Sequence, residues 1–121
     1  MSFEFENSTP IYLQLVEILK RNIIAGVLKP GERLLSVREL ALKMKVNPNT
    51  VQRALQDLES QQLIYTERTN GKFVTQNEKL IEECKREYAK SLTKKYCYNM
   101  QEIGMTKEEI IACLNEIRGE K

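Results

Sequence analysis

The sequence contains no histidine, and its reactive and conformationally special residues are few. Of 121 residues, none is His, three are Cys and five are Gly. Histidine is the most frequent general acid–base residue of enzymes. The glycines stand at expected turns and helix ends, so they build neither a phosphate-binding loop nor a nucleophile elbow. We therefore expect a protein that is not an enzyme and that has no cofactor and no metal ion.

The number of cysteines is odd, so they cannot all be paired in disulfides within one chain. Cys84, Cys97 and Cys113 are separated by 13 and 16 residues. These separations fit no metal-site pattern. We expect each thiol to be a small, semi-buried apolar side chain. A redox-sensing thiol is the alternative, and mass spectrometry after mild peroxide treatment distinguishes the two.

Long apolar runs are also absent. No run approaches the roughly eighteen apolar residues that a membrane-spanning helix needs, and the acidic, aromatic start MSFEFENST has no signal-peptide character. With 41% hydrophobic and 30% charged residues, the composition is that of a soluble protein of one domain, or one domain with an appendage. We expect a cytoplasmic protein without a membrane partner.

Positive charge is distributed unevenly along the chain. The net charge is only +2. From Lys20 to Lys72, however, ten Lys and Arg stand against five Asp and Glu, whereas from Glu78 to Lys121 there are nine of each. Phosphate binding depends on local positive charge. The segment 20–72 is therefore where a nucleic-acid contact is expected.

The segment from Ser36 to Gln62 predicts two short helices joined by a tight turn. Helical spacing on the first helix is shown by Val37, Leu40, Ala41 and Met44. Asn47 is a preferred N-cap, and Pro48 is tolerated at the first helical position. The second helix would bury Val51, Ala54, Leu55 and Leu58. Its outward side chains can bond base edges and phosphates, and they are Asn49, Thr50, Gln52, Arg53 and Gln56. This is the pattern of a helix-turn-helix.

The flanking segments complete a three-helix domain with a β-hairpin. A first helix is expected over 10–25, with Thr9 as its candidate cap. Strands are expected over 63–67 and 72–75, because these stretches are rich in β-branched and aromatic residues. Between them, Asn70-Gly71 predicts a primed hairpin turn. The predicted fold is mainly α with a small β-hairpin wing, that is, a winged helix-turn-helix over 1–76.

The remaining residues, 77–121, predict a two-helix tail. One helix is expected from Asn77 to Glu102, and after Gly104 a second begins at its cap, Thr106. Two such helices cannot bury their apolar stripes alone, so we expect a homodimer built from two helical hairpins. The apolar dimerisation candidates are Ile81, Cys84, Tyr88, Leu92, Tyr96, Met100, Ile103, Ile110, Leu114 and Ile117.

From Pro10 to Val74 the chain resembles the DNA-binding domain of the GntR family of bacterial transcription regulators. The matching pieces are Pro10-Ile11-Tyr12, Gln14, Gly26, Leu28, Pro30-Gly31-Glu32, Ser36, Arg38-Glu39-Leu40-Ala41, Val46, Thr50-Val51, Ala54-Leu55, Leu63-Ile64, Gly71 and Phe73-Val74. The resemblance implies a dimer on a palindromic operator in double-stranded DNA. The two-helix tail, with Gly104-Met105-Thr106 and Glu108-Glu109-Ile110, is similar to the YtrA-like branch. That branch implies a repressor of a transporter operon, and the chain has no room for a separate effector domain, so a small-molecule effector is not expected.

The expected DNA-binding residues combine the outward face of the second helix-turn-helix helix, its surroundings and the wing tip. They are Ser36, Arg38, Asn47, Asn49, Thr50, Gln52, Arg53, Arg68, Thr69, Asn70, Gly71 and Lys72. The chain departs from the family at Pro48 and Gln52, where arginines are usual. Amides at Asn49 and Gln52 match adenine, so we expect A·T steps to matter at the centre of each half-site.

A second class of function fits the same fold. A winged helix can serve as a protein-interaction module without specific DNA binding, since fold alone does not set function. Such a module has no need of the outward Asn, Gln and Arg side chains on the second helix. Salt-sensitive, sequence-selective DNA binding discriminates the two.

Overall fold

The computed structural model describes residues 9–117 of the chain. The elements are α1 (Ile11–Ile24), α2 (Val37–Met44), α3 (Pro48–Ser60), β1 (Ile64–Glu67), β2 (Gly71–Val74), α4 (Glu78–Glu102) and α5 (Lys107–Glu116). The predicted fold class, mainly helical with one hairpin after the helix-turn-helix and helices at the C-terminal end, is confirmed.

The chain divides into two compact units, of which the first ends at Cys84 and the second begins at Lys85. The expected domains 1–76 and 77–121 extend at their ends beyond the described residues. The same holds for the expectation about the MSFEFENST segment, of which only Thr9 is described.

Helix α1 begins without the side-chain cap predicted at Thr9. Pro10 is the N-cap residue, and no side chain bonds the first helical N–H groups. The prediction was wrong because the carbonyl of Pro10 already accepts from the N–H groups of Leu13 and Gln14, at 3.1 and 3.3 Å. The carbonyl of Thr9 instead accepts from Nε2 of Gln14 at 2.7 Å. The inward face of the helix consists of Leu15, Val16, Leu19 and Ile23.

Helices α2 and α3 both begin at side-chain caps, and the cap at Asn47 is the one predicted from the sequence. Ser36 caps α2 in a reciprocal capping box with Glu39, and Asn47 caps α3 ahead of Pro48. The turn between them depends on Lys45, which has a φ of +57°. A left-handed residue at a helix C-terminus allows the chain to reverse there. The two helices are thereby set as a helix-turn-helix.

One hydrophobic core lies among α1, α2, α3 and the hairpin. Its fully buried members, at 0% exposure, are Leu15, Val51, Ala54, Leu55, Leu58, Leu63 and Val74. Ile81 and Cys84, from the first turns of α4, are half-buried against this core. Every predicted inward residue of α3 is buried, so the opposite face of this helix is left to solvent.

The hairpin tip differs from the predicted primed turn. The last strand pair is Glu67 with Gly71, which leaves Arg68, Thr69 and Asn70 as a three-residue connection. A primed Asn-Gly turn needs positive φ at both residues. Gly71 has a φ of +102°, whereas Asn70 has no positive φ. The connection fits the three-residue class instead, in which a turn is followed by one residue with positive φ.

The segment 31–34 lies alongside β2 and joins the hairpin to the helices. The N–H of Val74 donates to the carbonyl of Glu32 at 2.8 Å, and the N–H of Leu34 donates to the carbonyl of Lys72 at 2.8 Å. The wing is therefore hydrogen-bonded to the residues directly ahead of α2. This connection sets where the wing lies relative to the helix-turn-helix.

Helices α4 and α5 leave nearly all of their apolar side chains exposed or half-buried. Helix α4 has no buried residue, and in α5 only Ile110 is buried. Between them Gly104 has a φ of +85°, and the predicted cap at Thr106 forms a capping box with Glu109. Among residues 9–117, no helix is long and apolar enough to cross a membrane.

Candidate nucleic-acid interface

The outward face of α3 presents amides, a hydroxyl and a guanidinium. Asn49, Gln52, Arg53 and Gln56 are exposed, and Thr50 is half-buried. The inward face of the same helix is fully buried, which fixes the helix against the core. The backbone under these polar side chains is therefore rigid, as a surface that reads a base sequence requires.

The start of α3 offers donors at a helix N-terminus. Oδ1 of Asn47 accepts from the N–H of Asn49 at 2.7 Å. The amide nitrogen of Asn47 is still able to donate to a phosphate. Positive partial charge at a helix N-terminus favours an anion at the same place. Pro48 has no side-chain donor and contributes shape alone.

Arg53 is held by an aromatic ring from α1. Its Cζ lies 3.8 Å from the ring centroid of Tyr12. The two residues line a shallow depression together with Ile11, Asn49 and Thr50. A cation stacked on an aromatic face gains attraction and loses rotamer freedom. Sequence reasoning missed the role of Tyr12 because the two residues are 41 positions apart.

Ser36 and Arg38 mark the exposed start of α2. Oγ of Ser36 accepts from the N–H of Glu39 at 3.1 Å, and the Glu39 carboxylate accepts from the N–H of Ser36 at 2.9 Å. The hydrogen bond that the backbone N–H of Ser36 donates to this carboxylate is the main cause that lowers the pKa of Glu39, followed by a side-chain hydrogen bond from Ser36 and, more weakly, by the charge of Arg33.

Lys72 in the wing is engaged within the protein. Its Nζ lies 3.1 Å from Oε1 of Glu59 on α3 and donates to Oγ1 of Thr66 at 2.8 Å. The hydrogen bond from Lys72 is the main cause that lowers the pKa of Glu59. Lys72 thus ties the wing to α3. By contrast, Arg68, Thr69 and Asn70 at the tip are exposed, and Gly71 is half-buried.

Arg33 is a second residue that sequence reasoning missed. Its Nε donates to the carbonyl of Asn70 at 2.8 Å, from 37 positions away in the chain. A basic residue in the connection between two predicted helices carries no signal of such a contact. Only the pairing of segment 31–34 with β2 brings the guanidinium to the wing tip.

The dimerisation candidates occupy several environments. Tyr88, Tyr96 and Met100 on α4 are half-buried, like Ile81 and Cys84. Ile110 is buried, whereas the exposed candidates are Leu92, Ile103, Leu114 and Ile117. The three cysteines are free and half-buried. Over the described range 9–117, no group of three His, Cys, Asp or Glu residues could hold a metal ion.

Known proteins resemble this chain in sequence. The family model for bacterial regulatory proteins, gntR family, matches residues 11–74. Over 112 residues the chain is 36% identical to the HTH-type transcriptional repressor YtrA of Bacillus subtilis (strain 168). The aligned region covers 92% of this chain and 86% of YtrA.

Solved structures extend the likeness to three dimensions. A GntR family transcriptional regulator from Listeria monocytogenes superposes with a TM-score of 0.87 at 42% identity, covering 94% of this chain and 100% of that one. AraR(DBD) in complex with operator ORR3 superposes with a TM-score of 0.54 at 31% identity, covering 62% of this chain and 88% of AraR(DBD).

Proposed function

The chain belongs to the GntR family of bacterial transcription regulators, in its YtrA-like subfamily, and carries the DNA-binding domain of that family; we propose that it is a repressor that binds a palindromic operator as a homodimer. Its relatives are transcription regulators and not enzymes. The observation that carries the proposal is α3, whose inward face is completely buried and whose outward face is polar.

In this proposal α3 lies in the major groove. Asn49 and Gln52 read base edges, and Arg53 contacts a base or a phosphate from its place on Tyr12. The residues proposed to hold the sugar–phosphate backbone are Ser36, Arg38, Asn47, Thr50, Arg68, Thr69 and Asn70. Because amides match adenine, the operator has A·T steps at the centre of each half-site.

The homodimer is proposed to form through α4 and α5. Ile111 and Leu114 of α5 are each exposed by 48%, and Ile117, its C-cap residue, is exposed by 56%. Apolar side chains clustered on one short helix are usually covered by a partner. We propose that this partner is a second copy of the chain, because a palindromic site needs two DNA-binding domains related by twofold symmetry.

Two further features follow from the YtrA-like resemblance. The regulated genes are proposed to include a transporter operon. As the YtrA-like resemblance implies, repression is also proposed to act without a separate effector-binding domain. An effector that does act must bind differently to two arrangements of the DNA-reading heads.

Selection of bound fragments from random DNA tests the proposal. We expect a twofold-symmetric consensus whose half-site spacing reports the dimer geometry. A gel shift on that consensus at two salt concentrations should show weaker binding at the higher one, because phosphate contacts release counterions. If no consensus emerges and micromolar protein shifts no duplex, the chain is an interaction module instead.

A further inference from the structure

Lys72, which follows the wing tip in sequence, is engaged by other side chains of the protein. The side chain of Lys72 is 20% exposed, and its ammonium is bonded to Glu59 and Thr66. A lysine ammonium neutralised by a carboxylate is a poor partner for a phosphate. Lys72 therefore fixes the wing against α3 and contributes little positive charge to its outer surface.

Arg33, from outside the hairpin, supplies a guanidinium at the same tip. Its Nε donates to the carbonyl of Asn70 at 2.8 Å, and its backbone forms an antiparallel bridge with Phe73. The guanidinium also lies over Gly71, where an added Cβ would stand 3.4 Å from Nε and 3.6 Å from Nη2. The side chain is thus located by three separate parts of the wing.

The remaining donors of Arg33 are available to a ligand. A guanidinium has five N–H groups, and in the described part of the chain only the Nε group of Arg33 has a hydrogen-bond acceptor. The residue is exposed. Two terminal nitrogens held in a fixed plane match two phosphate oxygens, with little rotamer entropy left to lose on binding.

We propose that Arg33 contacts the DNA phosphate backbone beside the wing tip and also positions that tip. It acts through Nε on the Asn70 carbonyl and through its Nη groups on a phosphate. This inference rests on the proposed function, because it requires the wing to lie beside DNA. It adds a phosphate contact outside the helix-turn-helix and assigns Lys72 to the contact between the wing and α3.

The salt dependence of operator binding tests the assignment. Replacing one phosphate-contacting cation lowers the slope of log affinity against log salt by about 0.9. We expect Arg33→Gln to show this decrease on both the selected operator and a random duplex, because a phosphate carries no sequence information. Lys90→Gln, which removes the same charge from an exposed position on α4 in the other compact unit, is the control and should leave the slope unchanged.

Arg33→Lys separates charge from geometry. It should restore most of the slope but leave the affinity below that of the unchanged protein, because one ammonium cannot serve the Asn70 carbonyl and a phosphate in a fixed plane. Thermal unfolding of every variant checks that the domain is folded. Equal slopes for Arg33→Gln and the unchanged protein would overturn the inference, and so would a loss confined to the operator. Failure of the proposed function would be recognised separately, because the unchanged protein would then bind no operator.

Discussion

Gln52 is the single residue on which we expect sequence reading to depend most. It is exposed on α3 directly after the fully buried Val51. Gln52→Ala should cost about 1–3 kcal/mol on the selected operator, because the bidentate match to adenine is lost, and little on random DNA. Fluorescence anisotropy with both duplexes measures the difference. Gln101→Ala, an exposed amide on α4, is the matched control. Equal losses of affinity on the two duplexes would mean that Gln52 contacts only the sugar–phosphate backbone of the DNA.

The pair of Tyr12 and Arg53 makes a second prediction at this scale. Tyr12→Leu should weaken operator binding by about 0.5–1.5 kcal/mol, because Arg53 would have to be ordered on binding rather than before it. Tyr12→Phe keeps the ring face and should bind normally. The operator affinities of the unchanged protein, Tyr12→Leu, Arg53→Ala and the double variant form the cycle that measures the coupling.

The expected coupling between these two residues has a clear signature. In an Arg53→Ala background, Tyr12→Leu should have almost no further effect on affinity. An undiminished effect in that background would show that the ring acts independently of Arg53. Tighter binding by Tyr12→Leu alone would show that the ring withholds Arg53 from DNA.

At the scale of elements, the start of α2 should contribute measurably to stability. Ser36 accepts from the N–H of Glu39, and loss of such a cap costs about 1 kcal/mol. Ser36→Ala should therefore lower the free energy of unfolding by that amount in urea denaturation. Ser91→Ala, at an exposed position within α4, lacks a capping role and should cause no comparable loss. Equal stabilities of Ser36→Ala and the unchanged protein would contradict the capping role.

The two lowered carboxylate pKa values predict how stability depends on pH. Hydrogen bonds from Ser36 lower the pKa of Glu39, and those from Lys72 lower the pKa of Glu59, relative to the ordinary value of 4.5. Near and below that value the unfolded chain binds more protons than the folded one. Their stabilisation is therefore complete above the unfolded pKa and is lost as pH falls through the folded pKa.

Urea denaturation at a series of pH values between 7 and 3, on the order of one pH unit apart, measures this loss. Glu39→Gln keeps an acceptor for the N–H of Ser36 but cannot titrate. It should lose less free energy of unfolding than the unchanged protein over the acidic part of the series. A parallel decline in both proteins would show that the Glu39 capping box does not contribute to acid sensitivity.

Helix and strand positions were predictable because they depend on neighbours in sequence. Capping residues at Ser36, Asn47 and Thr106 act within three positions, so they can be recognised without a fold. The two local errors arose where another part of the backbone decided the outcome. The Thr9 cap was replaced by the Pro10 carbonyl, and the Asn70-Gly71 turn became a three-residue connection whose carbonyl bonds Arg33.

At the scale of the whole molecule, the tail should determine the oligomeric state. Leu114→Glu places a charge on the exposed apolar side of α5 and should convert the proposed dimer to a monomer, because the charge would be buried without a partner. Sedimentation equilibrium measures the mass. Leu42→Glu, on α2 and 74% exposed, makes the same chemical change in the other compact unit and should leave the mass unchanged.

Operator binding should follow the oligomeric state. The Leu114→Glu monomer should bind a single half-site about as well as one head of the dimer does. It should lose the gain in affinity that comes from linking two heads on the palindrome. If both leucine variants keep the mass and affinity of the unchanged protein, the dimer interface does not include this side of α5.

The sequence by itself determined the winged helix-turn-helix, the outward polar face of α3 and the family, because helix caps, apolar periodicity and short motifs act over a few residues. Only the tertiary structure decided which cations are available. Lys72 and Arg33 look alike in the sequence, yet Lys72 is paired with Glu59, whereas Arg33 is exposed and donates to the wing tip. The stacking of Arg53 on Tyr12 was decided in the same way. These contacts join residues far apart in the chain, and packing of the core brings them together.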